Sequence, residues 1–422
     1  MRLNITDSRN LMSSWTLLYL VVMAWSWNPQ LAMARDLFEL TVESEGASVC
    51  RGFSNIESFV TQIDNAGLQE LIPAYQQDQS AVRATLDVRG LPAVAGYAVG
   101  STTLNFTVPS LGIDLYFTGA TRSESQDLFL DFLKGEGSAI LTQLLQRFVS
   151  QTSVDPVAGN PNSLMAQMAG MDYAASATTI DIKDNDSSAP RLIGIDVMAG
   201  TSEATAFHTN MVSLPINYII PLDDPRYQII IDAPLRYLNV EGADVYDGSL
   251  GAGFRFPVLD RPLGKALSWS LVPFLRAGIV GTKDIGVSQA IYSASVTSKL
   301  KFFFGDLALS VKNMASYYQT GEVEGTGTGD YDLENTIFRH GIALDGSLNF
   351  NLFEEPTSWE VQFVDTRITG DDWFIDAYEE LVLTFGTRRR EDRMTWQTLR
   401  IGAKYTFADE YDGFQIVLGY RF

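Results

Sequence analysis

From Arg191 to the C-terminus the chain repeats one pattern, about ten residues of alternating apolar and polar side chains followed by a turn, and this repetition limits the fold more than any single motif. Alternate side chains of a strand point to opposite faces, so each segment has one greasy and one polar face. Ile193, Ile195 and Val197 alternate with Gly194, Asp196 and Met198. Val212 to Ile220, Tyr227 to Leu235, Leu250 to Phe256 and Leu267 to Leu275 behave alike. The pattern returns at 294–302, 307–311, 342–350, 359–363, 381–385 and 399–407. The last stretch places Phe414, Ile416, Leu418, Tyr420 and Phe422 on one face, against Gln415, Val417, Gly419 and Arg421. About twelve such strands, each near the length that crosses a bilayer at a tilt, predict an all-β transmembrane barrel with antiparallel strands. A large soluble β-sandwich would also alternate. It would rarely end on so sticky an edge, nor gather aromatics such as Tyr218, Tyr227, Trp269, Trp359, Trp396 and Tyr405 near strand ends, where membrane barrels carry girdles.

Phe414, Ile416, Leu418, Tyr420 and Phe422 resemble the C-terminal strand of bacterial outer-membrane proteins, which ends in Phe and serves as their assembly signal. That resemblance implies residence in the bacterial outer membrane, contact with its lipid and recognition by the barrel-assembly machinery. Residues 1–34 fit an export signal. Arg2 and Arg9 precede an apolar run from Trp15 to Trp27, and Ala32-Met33-Ala34 gives the small-x-small cleavage pattern. The net charge of −21 excludes nucleic acid as a natural partner. Cys50 is the only cysteine, so no internal disulfide forms, and it reads as a buried or inert thiol. Two histidines leave little room for a histidine-rich metal site, and no cofactor is expected.

Residues 35–185 have a different texture and read as a small α+β segment, periplasmic or plug-like, ahead of the barrel at 191–422. A capping box at Ser54-Asn55-Ile56-Glu57 opens a pair of short helices before Pro73. Two or three strands are expected between Val82 and Gly119, and these could also join the barrel. Helical patterns follow at Leu128 to Leu133 and at Leu141 to Phe148. A further helix is expected near 163–176, where the methionines could be adaptable packing or the face of a pore-spanning plug. Asp181 to Pro190 reads as a linker.

An even strand count puts both barrel ends on one side, with external loops at 200–206, 239–247, 281–286, 319–336, 370–377 and 408–412. The longest is rich in Glu, Asp and Gly. Parity assigns Arg255, Arg276, Lys299, Lys301, Lys312, Arg400, Lys404 and Arg421 to the lumen, against fewer acids such as Asp196, Asp232 and Asp345. Such a wall could select small anionic solutes, hold an acidic plug, or pair with lumen carboxylates. The paired acids Asp223-Asp224, Asp371-Asp372 and Glu379-Glu380 read as solvated loop or strand-end residues. Neither His208 nor His340 has the neighbours of a nucleophile–base pair, so no catalytic residue is expected.

Twelve strands behind a helix and linker, with Asn160-Pro161-Asn162-Ser163-Leu164 opening the helix, resemble the translocator barrel of autotransporters. The resemblance is to a solitary barrel without a large passenger, and it implies a helix inside a narrow pore. Two alternatives stay open: a plugged solute or anion channel, and a surface interaction protein acting through the acidic loops.

Overall fold

A computed structural model describes residues 36–63, 65–134, 138–176, 191–259, 267–323, 330–352, 355–387 and 398–421. The signal-peptide expectation and the linker at 181–190 lie outside these residues.

The N-terminal unit is an antiparallel sheet with helices around it. Its strands are β1 (Phe38–Ser44), β2 (Ala47–Phe53), β3 (Val82–Val88), β4 (Leu91–Tyr97), β5 (Thr103–Val108) and β6 (Ile113–Thr118), in the spatial order β2-β1-β3-β4-β5-β6. Four strands therefore occupy the stretch where two or three were expected, and they form their own sheet rather than joining the barrel. Helices α1 (Ile56–Ile63) and α2 (Asn65–Leu71) follow β2. The Asn55 side chain, not that of Ser54, caps α1 by accepting from the Ser58 amide at 2.9 Å. Helix α3 (Arg122–Lys134) lays Phe129 against Phe106 and Phe117, and α4 (Ser138–Gln151) leads toward the barrel. Arg122, only 1% exposed, donates to the carbonyls of Ala98 and Ser101 at 3.1 and 2.9 Å. It also lies over the Tyr97 ring, whose phenol burial pushes up to about 12. Cys50 is exposed on the edge strand β2 rather than buried, because its parity turns it to the open face of the sheet.

The barrel begins with β7 (Leu192–Ala204). Two staves follow that prolines divide: β8 (Phe207–Leu214) with β9 (Ile216–Pro221), then β10 (Gln228–Asp232) with β11 (Leu235–Val240). Pro215 and Pro234 have no N–H to give to the ladder, so regular pairing lapses there and resumes beyond. The wall continues through β12 (Ala243–Leu259), β13 (Leu267–Thr282), β14 (Val287–Phe304) and β15 (Leu307–Gly321). It ends with β16 (Glu334–Leu352), β17 (Glu355–Gly370), β18 (Ala377–Thr387), β19 (Thr398–Ala408) and β20 (Tyr411–Arg421). Every neighbour is antiparallel, and β20 pairs with β7 from Tyr411↔Ala204 to Arg421↔Gly194, closing a twelve-stave barrel. The terminal strand is thus the closing stave, with no edge left over.

Polarity across this wall is inverted relative to a soluble protein. Leu250, Leu275, Ile342 and Leu383 are 61%, 67%, 55% and 53% exposed, whereas Gln228, Gln289 and Thr297 are 0%, 0% and 1% exposed. Apolar groups face outward and polar groups inward, as lipid requires. Phe414, Ile416 and Leu418 belong to the outer face; the side chains of Tyr420, Arg421 and Phe422 lie outside the described residues. Replacing Leu275 by Arg should destabilise the barrel by about 2–4 kcal/mol. Denaturant titration in lipid vesicles measures this, and a loss below about 0.5 kcal/mol would contradict a lipid-facing position.

Candidate functional site: the occupied lumen

The interior is filled by the chain itself. Helix α5 (Leu164–Ala175) packs on the inner faces of β10, β12, β13, β14, β15 and β16. Leu164, Met165, Met168, Met171 and Tyr173 are all buried, on every side of the helix. Methionine suits this position, because its unbranched thioether adapts to an irregular wall. Wall glycines make the room. A Cβ on Gly341 would fall 1.9 Å from the Tyr173 hydroxyl, and one on Gly278 would fall 2.8 Å from Met168 Sδ.

Residues 152–163 carry the chain from the unit into the mouth of the barrel. Ser153 donates to the carbonyl of Ala204 at 3.1 Å, and Asn162 donates to Ser202 at 2.6 Å while accepting from Tyr411 at 3.0 Å. Deeper, Ala175 packs against Ile230, Val272 and Phe274. The helix therefore runs from the rim of the 204–207 and 408–411 turns toward the rim where β7 begins and β20 ends.

The unit itself rests on the first of these rims. Ile56 N donates to Asp284 O at 2.7 Å, Phe374 N to Val149 O at 3.0 Å, and Thr142 Oγ1 to Asp330 O at 2.9 Å. Asp155 joins three parts of the chain at the mouth. Its buried carboxylate takes Arg89 of the unit at 2.7 Å, Tyr331 of the longest barrel loop at 3.0 Å, and the amide of Val157 at 2.9 Å.

Two charged clusters lock the helix. Asp172 accepts from Arg276 Nε at 2.7 Å and from the Ser295 hydroxyl at 2.9 Å, while Arg276 also reaches Asp232 at 2.5 Å and Ser249 at 2.9 Å. On the neighbouring wall the Lys312 ammonium sits 3.9 Å from the centre of the Tyr173 ring, with the Arg339 guanidinium at 5.2 Å. Arg339 is ion-paired with Glu380, which also binds Lys404 at 3.0 Å.

The other expected lumen cations fall into the same interior. Arg255 is buried and donates to the Arg226 carbonyl at 2.6 Å. Lys299 lies across from Lys312, Lys301 pairs with Asp345 at 3.1 Å, and Arg400 donates to Ser358 and Thr384, each at 2.8 Å. The Arg421 side chain lies outside the described residues. Glu380 corrects the expectation of a solvated pair: β18 carries it into the lumen, 6% exposed, while adjacent Glu379 faces out toward Arg367. Arg236, Asp247 and Arg339 were also missed. Parity alone would have placed Arg339 inward, one position before His340 on the outer face; the ion pair of Arg236 with Asp247 at 2.6 Å needed the strand register.

No family model and no curated protein matches the chain. Among solved structures, the chain is similar in fold to autotransporter β domains. The β domain of the Bordetella autotransporter BrkA is 12% identical, with 55% of this chain and 98% of that one covered at a TM-score of 0.39. The translocator domain of NalP from Neisseria meningitidis is 9% identical, with 61% and 95% covered at 0.42. An outer membrane channel from Pseudomonas putida F1 is also similar, at 13% identity, 57% and 98% coverage and 0.37. The protein is an outer-membrane-type β-barrel.

Replacing Arg276 by Met strands Asp172 and Asp232 in a dry interior and should cost about 3–5 kcal/mol. Adding Asp172→Asn and Asp232→Asn should recover most of that loss. Urea unfolding of the single and triple variants checks this, and equal stability of the two would show that the cluster does not act as a unit.

Proposed function

We propose that the chain is an autotransporter-type outer-membrane anchor that holds its own N-terminal unit, residues 36–151, at the cell surface. The observation that carries this reading is the path of the chain: from the unit on one rim, through the lumen as a single helix, to the first strand at the other rim. Bacterial barrels put both ends and the short turns in the periplasm and the longer loops outside. Applied here, that rule sets the unit among the external loops. The apolar exterior takes outer-membrane lipid as its partner, and β20 serves as the signal to the assembly machinery.

This reading absorbs the acidic loops. Asp284 and Asp330 give carbonyls to the unit, so those loops act as its seat before they act on anything else. A plugged anion channel is the second reading, favoured by the basic wall. Conduction would need α5 to leave, which would break the Asp172–Arg276 and Lys312–Tyr173 contacts.

An epitope tag inserted after Val99, which is 79% exposed, should be stained on intact cells. Staining only after the outer membrane is permeabilised would place the unit in the periplasm and defeat the proposal. In planar bilayers the refolded protein should stay closed, and Lys299→Gln with Arg400→Gln should change nothing. Anion-selective current that these substitutions alter would favour the channel.

A further inference from the structure

Lipid-facing positions of a membrane strand are apolar because an acyl chain can neither give nor take a hydrogen bond. The outer wall of β15 and β16 departs from this. Asn313 and His340 sit opposite each other on these two strands, both on the outer face and both exposed. The pair lies inside the apolar band rather than at its border. On β15 the outward row runs through Leu309 and Val311 on one side of Asn313, and through Ala315 and Tyr317 on the other. On β16 it runs through Ile342 and Leu344 on one side of His340, and through Phe338 on the other. Polar groups at such a position are costly, and membrane proteins keep them where they meet another polar surface.

The pair has bonding capacity left over. His340 Nδ1 lies 2.8 Å from Asn313 Oδ1. A carboxamide oxygen only accepts, so Nδ1 carries the proton and donates, and Nε2 of the neutral ring keeps its lone pair. Among the described residues neither that Nε2 nor the Asn313 amide NH₂ has a partner. Their cross-strand neighbours are already engaged. Ser298, opposite Asn313, accepts from Trp269 Nε1 at 3.0 Å, and Asp365, opposite His340, pairs with Arg367 at 2.5 Å. Each barrel therefore presents one unused acceptor and one unused donor, on adjacent side chains, within an apolar surface.

That set is complementary to itself. A twofold axis along the membrane normal turns the same patch of a second copy toward the first, so the Asn313 amide of each can donate to His340 Nε2 of the other. Ala315, the next outward residue on β15, is small enough for the two walls to approach closely, and Val311, Phe338 and Ile342 supply apolar contact around the pair. We propose that β15 and β16 form the interface of a homodimer within the membrane, closed by reciprocal Asn313–His340 hydrogen bonds. Acyl chains leave both groups unbonded, and lipid headgroups lie beyond the apolar band. A different membrane protein would need a matching donor and acceptor at the same spacing, which a second copy has by construction. This inference is independent of which side of the membrane the N-terminal unit occupies.

The test uses the full-length protein labelled with a donor or an acceptor dye at Cys50, which is exposed on the unit. The two labelled batches are reconstituted together in phosphatidylcholine vesicles over a range of protein-to-lipid ratios. Energy transfer should rise with protein density and saturate at the level of a pair. Asn313→Leu with His340→Leu should raise the density at half-association by about ten-fold or more. Leucine suits a lipid-facing position, so this variant should fold, and retained heat-modifiable gel migration shows that it does. In a Cys50→Ser background, Ala315→Cys should cross-link two copies through a bis-maleimide reagent, whereas Leu418→Cys on the outer face of β20 should not. Transfer no greater than random encounter at every density, association unchanged in the leucine double variant, or cross-linking of Leu418→Cys as efficient as that of Ala315→Cys would overturn the proposal.

Discussion

A helix with one acidic side chain in its last turn can sit in a basic barrel only if that charge is answered at contact distance. The Asp172–Arg276–Asp232 cluster provides this answer, and the rest of the interior is arranged around it. Taking ions out of water is so unfavourable that an unmatched carboxylate would expel the helix or collapse the wall. Once Asp172 is matched, the remaining contact is fitted packing: Met165 and Met168 against the lumen, Tyr173 in the space left by Gly341, and two cations flanking its ring. Lumen and plug are thus complementary in charge and in volume.

Asp155 plays the corresponding part at the mouth. A single carboxylate gathers Arg89, Tyr331 and two main-chain amides, so unit, plug and barrel loop share one buried polar centre. Such a centre specifies geometry more than it adds stability, because the carboxylate accepts well only when all three parts are in register. The unit is consequently a fixed rim element of this barrel.

The barrel was legible because its signal is local. Alternation at period two is written in each strand separately, and the outer rows that contain Leu250, Leu275 and Leu418 follow from parity without knowledge of any neighbour. The inward cations followed by the same rule. Their partners did not, because Arg276 meets Asp172 across 104 positions and Arg339 meets Glu380 across 41, and nothing in the local pattern encodes such pairings. Glu380 was misread since its neighbour Glu379 points the opposite way, so a charged pair looked like a solvated end. β1 and β2 were missed for another reason: the edge strand β2, with Cys50, Arg51 and Gly52 in its centre, lacks a clear apolar face.

The path of α5 has a mechanical consequence. A closed ring of strands surrounds the helix, and the six-stranded sheet on the rim is far wider than a lumen that one helix of about 10–12 Å fills. The unit is the head of a rivet and α5 its shank. A pull on the unit toward the far side drives the head against the rim, and a pull outward is taken up by β7, which the hydrogen bonds of the whole barrel restrain. Separating the unit from the barrel therefore means unfolding a domain or opening the ring of strands, and the helix is held by topology as firmly as by its contacts.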